Sequence, residues 1–436
     1  MKLAVVGAGW AGCSAAVELA KNGHEVHVFE ASRTLGGRAR QVIINDLVLD
    51  NGQHILLGAY RATLALLKTL GQQHKLLRLP LQMCYPPNSN GMSLIAPKLP
   101  APWHMLVGLI RATGLSGADK MSLARFSTAA RWMDWQLNND CTVAELLERF
   151  DQTANLTRLM WQPLCIAALN TPIERASAQI FLNVLKDSLA SNRSASDMLI
   201  PQCDLGTLVP GAAARFIEAH GGTVHPGCAV RALGQQQEKW LLRFAQSEQV
   251  FDGVVIATPA QAARDLLVPL DLAEHIPEYD YEPITTCYLK YPGDVRLERP
   301  LLALVERPDK SAWGQFVFDR GQLDGHAGLL AVVVSASQAA IEQGHTELAL
   351  NCARQLAADL NRPELGTPQW NQVITEKRAT FACVPNIRRP SNQLPLPNMV
   401  LAGDYTASRY PATLEAAVQS GGIAAGLLHK SLISST

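Results

Sequence analysis

Gly7, Gly9 and Gly12, followed by an acid at Glu30, have the types and spacing that hold a dinucleotide. Gly7 permits a tight turn, Gly9 lets the backbone approach a pyrophosphate, and Gly12 lets a helix pack closely on a strand. Ala8, Trp10 and Ala11 complete the turn and open the helix. Its unpaired N–H groups and positive dipole end attract phosphate. Glu30 stands eighteen residues beyond Gly12, a spacing suited to gripping ribose hydroxyls, and Ala31 and Ser32 follow it. This chemistry requires strand, glycine turn, helix, strand and acid in that order. Lys2 to Val6, the helical text after Gly9, and His27 to Glu30 supply them.

A second cluster decides which dinucleotide. Gly36, Gly37 and Arg38 come directly after the acid, where a nicotinamide site needs no further loop but a flavin site does. The glycines keep such a loop low, and Arg38 can serve as a cation near the pyrophosphate. At the far end of the chain, Asn398 to Asp404 is a short apolar strand ending in Gly403-Asp404. It leads into a helix-spaced stretch through Thr413, Leu414 and Ala417 to Gly422.

These pieces, in this order, resemble the FAD-dependent amine oxidase and carotenoid desaturase superfamily. The resemblance implies that the N-terminal turn and Glu30 hold the ADP half. Gly36 to Arg38 continue along the cofactor, Gly403 and Asp404 meet the pyrophosphate and ribityl chain, and the last helix points at the flavin. Gly222 to Arg231 is similar to the strand whose Val230 backbone recognises adenine, and Gly253 to Pro259 to the strand and turn after it. Amine oxidases place an aromatic wall where this chain has Thr413, so a polyisoprenoid fits better than an amine. Leu49 to Gly58 further resembles the squalene-associated branch, the hydroxysqualene dehydroxylases of bacterial hopanoid synthesis. In that branch reduced FAD replaces an allylic hydroxyl by hydrogen. The resemblance sets Gly52, Gln53 and His54 beside the isoalloxazine. His54 is the candidate acid for the departing hydroxyl, or else it packs against or hydrogen-bonds FAD. Glu415 reads as a helix-capping residue and Asp50 as fixing its own turn. A carotenoid or squalene desaturase is the alternative enzyme, with an amine oxidase and a non-catalytic prenyl-binding relative behind it.

The implied fold is α/β: a discontinuous Rossmann-type FAD-binding domain from residues 1–80, 204–265 and 378–436, with an inserted α+β substrate domain from 81–203 and 266–377. A hairpin turned at Asn45-Asp46, strands at 285–291 and 328–335, and a long helix from Gln338 to Leu360 are expected within it. The first insert is rich in large apolar residues, including Trp132, Trp135, Met160 and Trp161, suited to an apolar tunnel for a C30 chain. Its run from Pro102 to Arg111 is too short to span a bilayer and suits a helix lying in a membrane surface.

Formal net charge is zero, with 38 basic and 38 acidic side chains and no basic stripe, which argues against a nucleic-acid partner. Nine cysteines without CxxC or CxxH pairing, and with no metal-ligand spacing, suit reduced thiols in a cytoplasmic protein. Met1-Lys2 enters the first strand directly, so no secretory leader is expected, and the protein is placed on the inner face of the cell membrane. Only one dinucleotide fingerprint occurs, so a reductive reaction would need a separate electron donor, either a carrier protein or a reductant entering the same cleft. Gly403 to Gly422 contains no Cys or His, so FAD is expected to bind non-covalently.

Overall fold

The computed structural model describes residues 1–101 and 103–434; Pro102, at the head of the apolar run, and residues 435–436 lie outside the described residues. Three distant parts of the chain build one five-stranded parallel sheet. Its order is Thr223–Pro226, Glu25–Glu30, Lys2–Val6, Gly253–Ile256 and Met399–Leu401. Val5 sits between Val28 and Val255 at the centre of this sheet. Both faces of the three adjoining strands Lys2–Val6, Gly253–Ile256 and Met399–Leu401 are buried, which is why these are largely Val, Leu and Ile. Alternation divides the faces. Leu3, Val5, Val26, Val28 and Val255 pack on the helices Trp10–Lys21 and Leu414–Ser434. Ala4, Val6, Phe29, Val254 and Ile256 face a three-stranded meander through its residues Leu233, Trp240, Leu242 and Phe251.

The two helices touch along small residues. A Cβ on Gly421 would stand 2.2 Å from the Ala11 carbonyl, and Ser14 Oγ donates to the Val418 carbonyl at 2.8 Å. This contact fixes the start of the last helix against the N-terminal glycine turn.

A second five-stranded sheet is antiparallel, in the order Leu301–Ala303, Phe316–Asp319, Leu329–Ser335, Tyr281–Lys290 and Trp370–Phe381. The helix His345–Leu360 covers one face, through Leu348, Cys352 and Leu356. On the other face Tyr288, Leu329, Ala331 and Val333 pack against Leu49, Met198 and Ile200. The expected single helix from Gln338 is two: Gln338–Ile341 stops, and Gly344 at φ +86° redirects the chain before His345. Strand Trp370–Phe381 runs unbroken through residue 378, so the domain boundary expected there falls inside one strand. The hairpin Gln41–Ile44 with Leu47–Asp50 turns at Asn45 and Asp46, with φ of +49° and +60°, the left-handed pair that such a two-residue turn requires.

Between these parts lies a helical region from Trp103 to Ala190. Trp135, Met160 and Trp161 are interior, and the Trp161 ring stands 4.7 Å from that of Phe126. Trp132 does not join them; its side chain is exposed. No helix among the described residues is long and apolar enough to cross a membrane.

Candidate FAD site

The glycine turn is built by close contact. Gly7 has φ +104°, and a Cβ there would lie 2.6 Å from the Ala257 carbonyl. A Cβ on Gly12 would lie 1.9 Å from the Gly7 carbonyl, so any side chain there would push the helix off the turn. Gly9 differs: a Cβ would meet nothing within 4 Å, leaving an open cradle in front of the helix. The helix Trp10–Lys21 has no side-chain N-cap, so its first amides, at Trp10, Ala11 and Gly12, are left for an anion. The Trp10 side chain itself is buried, its indole N–H 3.4 Å from the Ala39 carbonyl.

Glu30 closes the turn from behind. Its carboxylate accepts the Ala8 amide at 2.8 Å and the Ser32 amide at 2.9 Å. Ala31 is exposed between them. The second loop lies directly on the first: the Gly36 amide donates to the Ala8 carbonyl at 2.9 Å, and Gly9 and Gly36 bridge in parallel. Gly36 and Gly37 have φ of +113° and +62°. Arg38 then crosses the molecule, donating to Asp404 Oδ1 and to the Ala379 carbonyl, each at 2.7 Å. Burial works against its charge, but Asp404, with Tyr281 and Glu376, more than offsets this and holds the guanidinium charged.

Val230 lies beside Glu30, because the Gly227 amide donates to Ser32 and the Cys228 amide to the Glu30 carbonyl. Among the described residues no group engages the Val230 amide or carbonyl, leaving both for a heterocycle edge. At the far end, the Gly403 amide donates to Ser420 Oγ at 2.9 Å, and Ser420 is held by Asn392 and Thr406. Thr413 caps the last helix: its Oγ1 accepts the Ala416 amide at 3.2 Å, and its carbonyl the Ala417 amide at 3.0 Å. Leu414 and Ala417 pack on the cluster around Trp10. Glu415 caps a different helix, Arg61–Thr69, by accepting the Ala62 and Thr63 amides and the Thr63 hydroxyl at 2.7–3.0 Å.

The Gly52–His54 segment is positioned from the second sheet. Gln53 Nε2 donates to the Tyr288 hydroxyl at 2.7 Å and its Oε1 accepts from Arg320, so this side chain is fully engaged by protein. The Tyr288 hydroxyl in turn donates to the Asp50 carbonyl at 2.8 Å. Asp50 does not fix its own turn. Its carboxylate accepts the Leu205 amide at 2.8 Å and meets Arg320 at 3.3 Å. Burial, only partly opposed by Arg320, pushes its pKa up to about 6. His54 Nδ1 lies 2.9 Å from the Gly52 carbonyl, which can only accept, so Nδ1 carries the hydrogen. Burial, with Arg38 nearby, lowers the His54 pKa. The neutral form is thereby favoured, and in that form the ring presents Nε2 as an acceptor rather than as the proton donor expected there.

Tyr288, Arg320, Asn392 and Thr406 carry no motif and were not legible as site residues in the sequence. Two further observations fit a large bound group. Among the described residues, the Thr258 hydroxyl, close to Gly7, and the hydroxyl of Tyr405, the residue after Asp404, are buried without a hydrogen-bond partner. The open Gly9 cradle, the uncapped amides at the start of Trp10–Lys21 and the unpaired Val230 backbone fit FAD.

Residues 10–429 match the family model described as flavin containing amine oxidoreductase, and the chain belongs to that family. It is an FAD-dependent oxidoreductase. Among curated proteins it is similar to hydroxysqualene dehydroxylase of Rhodopseudomonas palustris, 28% identical over 97% of both chains. It is also similar to zeta-carotene desaturase of Solanum lycopersicum, 23% identical over 97% of this chain and 79% of that one. A solved oxidoreductase from Methanosarcina mazei shares the fold, with TM-score 0.72 and 15% identity over 97% of this chain and 99% of that one.

Proposed function

We propose that this oxidoreductase acts on a long-chain isoprenoid and removes the allylic hydroxyl of hydroxysqualene reductively, giving squalene for hopanoid synthesis. The observation that carries this reading is the end-to-end similarity to hydroxysqualene dehydroxylases, joined to a capping threonine, Thr413, where an amine oxidase would need an aromatic wall. Bound reduced FAD supplies a hydride equivalent; the alcohol becomes hydrocarbon and water. The protein's own task is to let the allylic C–O bond ionise and to keep water from recapturing the delocalised cation. The apolar cluster of Phe126, Met160, Trp161 and Phe181 supports water exclusion. His54 Nε2, an acceptor, can orient the hydroxyl by taking its hydrogen bond, while the departing oxygen takes its proton from another group.

FAD is held by Gly7 to Gly12, Glu30 to Ser32, Gly36 to Arg38, the Gly52–His54 backbone, Val230, Gly403, Asp404 and the start of the last helix at Thr413, Leu414 and Ala417. The protein works in the cytoplasm at the inner face of the cell membrane, and a separate carrier delivers its electrons. The second reading, a desaturase, is favoured by the similarity to zeta-carotene desaturase. Anaerobic incubation of photoreduced enzyme with hydroxysqualene tests the first reading. Squalene formed in step with flavin reoxidation supports it. A conjugated product from oxidised enzyme and squalene, with hydroxysqualene untouched, would replace it by the second.

A further inference from the structure

The helix Trp103–Arg111 is seated the wrong way round for a helix in contact with water. Trp103, Leu106 and Ile110 share one face at helical spacing, and they are 57%, 44% and 64% exposed. The face turned to protein carries His104 and Gly108 instead, both buried. A Cβ on Gly108 would stand 3.3 Å from the Ile95 carbonyl, so this glycine lets the helix lie directly on strand Ser93–Ile95. Among the described residues, neither ring nitrogen of His104 makes a hydrogen bond of good geometry. The seating thus buries an unsatisfied ring while three large apolar side chains face outward. Burial within the monomer alone would favour the opposite rotation.

The sequence around this helix is one-sided in charge. From Lys98 to Trp132 the cations are Lys98, Arg111, Lys120, Arg125 and Arg131, and the one acid is Asp119. Asp119 is buried, its carboxylate taken by the Ser116 amide, Thr153 and Asn155. Lys98, five residues before the helix, and Arg111, its last residue, are exposed. In a chain of zero formal charge, Lys98, Arg111 and Lys120, whose Nζ donates to the Ile110 carbonyl at 2.8 Å, put positive charge beside the apolar stripe.

We propose that this face docks on an anionic lipid bilayer, with Trp103, Leu106 and Ile110 at the acyl boundary and Lys98 and Arg111 at the headgroup phosphates. The helix, roughly 14 Å long at 1.5 Å per residue, lies in the surface and does not span it. A second copy of the chain is the poorer occupant, because it would set like charges against one another. On the inner side, Leu109 packs on the apolar cluster that contains Phe126 and Trp161, so the docked face adjoins the greasy interior. The proposal deepens the membrane location given above and rests on it, but it does not depend on which isoprenoid is turned over.

The test is co-sedimentation of the FAD-loaded full chain with phosphatidylcholine vesicles, with and without phosphatidylglycerol. Binding should require phosphatidylglycerol and weaken with salt. Lys98→Glu with Arg111→Glu should reduce partitioning at least roughly tenfold, and Leu106→Glu with Ile110→Glu should abolish it, with bound flavin unchanged in both. The proposal is overturned by absence of binding to anionic vesicles, or by equal binding of the Leu106/Ile110 variant. It is overturned equally by a dimer in sedimentation velocity that only that variant dissolves. None of these outcomes bears on the reaction assay, so the two readings fail separately.

Discussion

Replacing Glu30 by Ala separates two roles that one carboxylate performs. The Ala8 amide it accepts is buried, so losing that partner leaves an unsatisfied donor costing about 1–3 kcal/mol of apoprotein stability. The Ser32 amide is exposed, and water replaces the lost bond there at little cost. With FAD bound, the charge-assisted bonds to the adenosine ribose would also go, worth about 1.5–3 kcal/mol. At about 1.4 kcal/mol per decade, the FAD dissociation constant should rise about 10–100-fold. Glu30→Gln should not rescue it, since an amide has one acceptor oxygen and would aim an NH2 at one of two N–H donors. Stripped protein titrated with FAD, read by flavin fluorescence, gives the constant, and urea unfolding gives the stability. FMN lacks the adenosine ribose, so its weaker binding should be the same in parent and variant. An FAD constant within threefold of the parent, or full rescue by Gln, would refute the reasoning. Equal losses for FAD and FMN would place the damage in the turn.

Four further outcomes follow from the same geometry. Glu415→Ala should destabilise the protein by roughly 1–2 kcal/mol through loss of the Arg61–Thr69 cap, seen in urea unfolding; no change would mean that the cap is dispensable. Asp50 has a folded pKa raised from 3.8 to about 6, so from about pH 4 to 6 the folded state binds more protons than the unfolded, and its contribution to stability falls as pH rises. Parent stability should therefore drop relative to Asp50→Asn across that window and run parallel above it; a gap constant from pH 4 to 7 would contradict the raised value. His54→Ala should retain FAD and slow single-turnover flavin oxidation by hydroxysqualene less than the ~10²-fold of a general acid, whereas a larger loss would restore His54 as the proton donor. Acid precipitation should release the yellow colour into the supernatant, and a coloured pellet would mean a covalent flavin.

The sequence alone determined those features whose physics is local. Gly12 is a glycine because a Cβ would strike the Gly7 carbonyl just before it in the same turn, and the strand–turn–helix order that needs it is contiguous. The Asn45-Asp46 turn and the apolar runs of the parallel strands were legible for the same reason: their conformations depend on neighbouring residues and period. Features made by contact between distant segments left no such trace. Arg38 finds Asp404 across 366 residues, and Gln53 finds Tyr288 across 235. Glu415 caps a helix 352 residues earlier rather than its own. The state of His54 was decided the same way, because a histidine in a motif can be acid or acceptor until a carbonyl is set against one nitrogen and burial removes the charge. The apolar run after Pro102 was plain as text, but its rotation was not. A helical period assigns residues to faces, and only packing on Ser93–Ile95 decided which face turned outward.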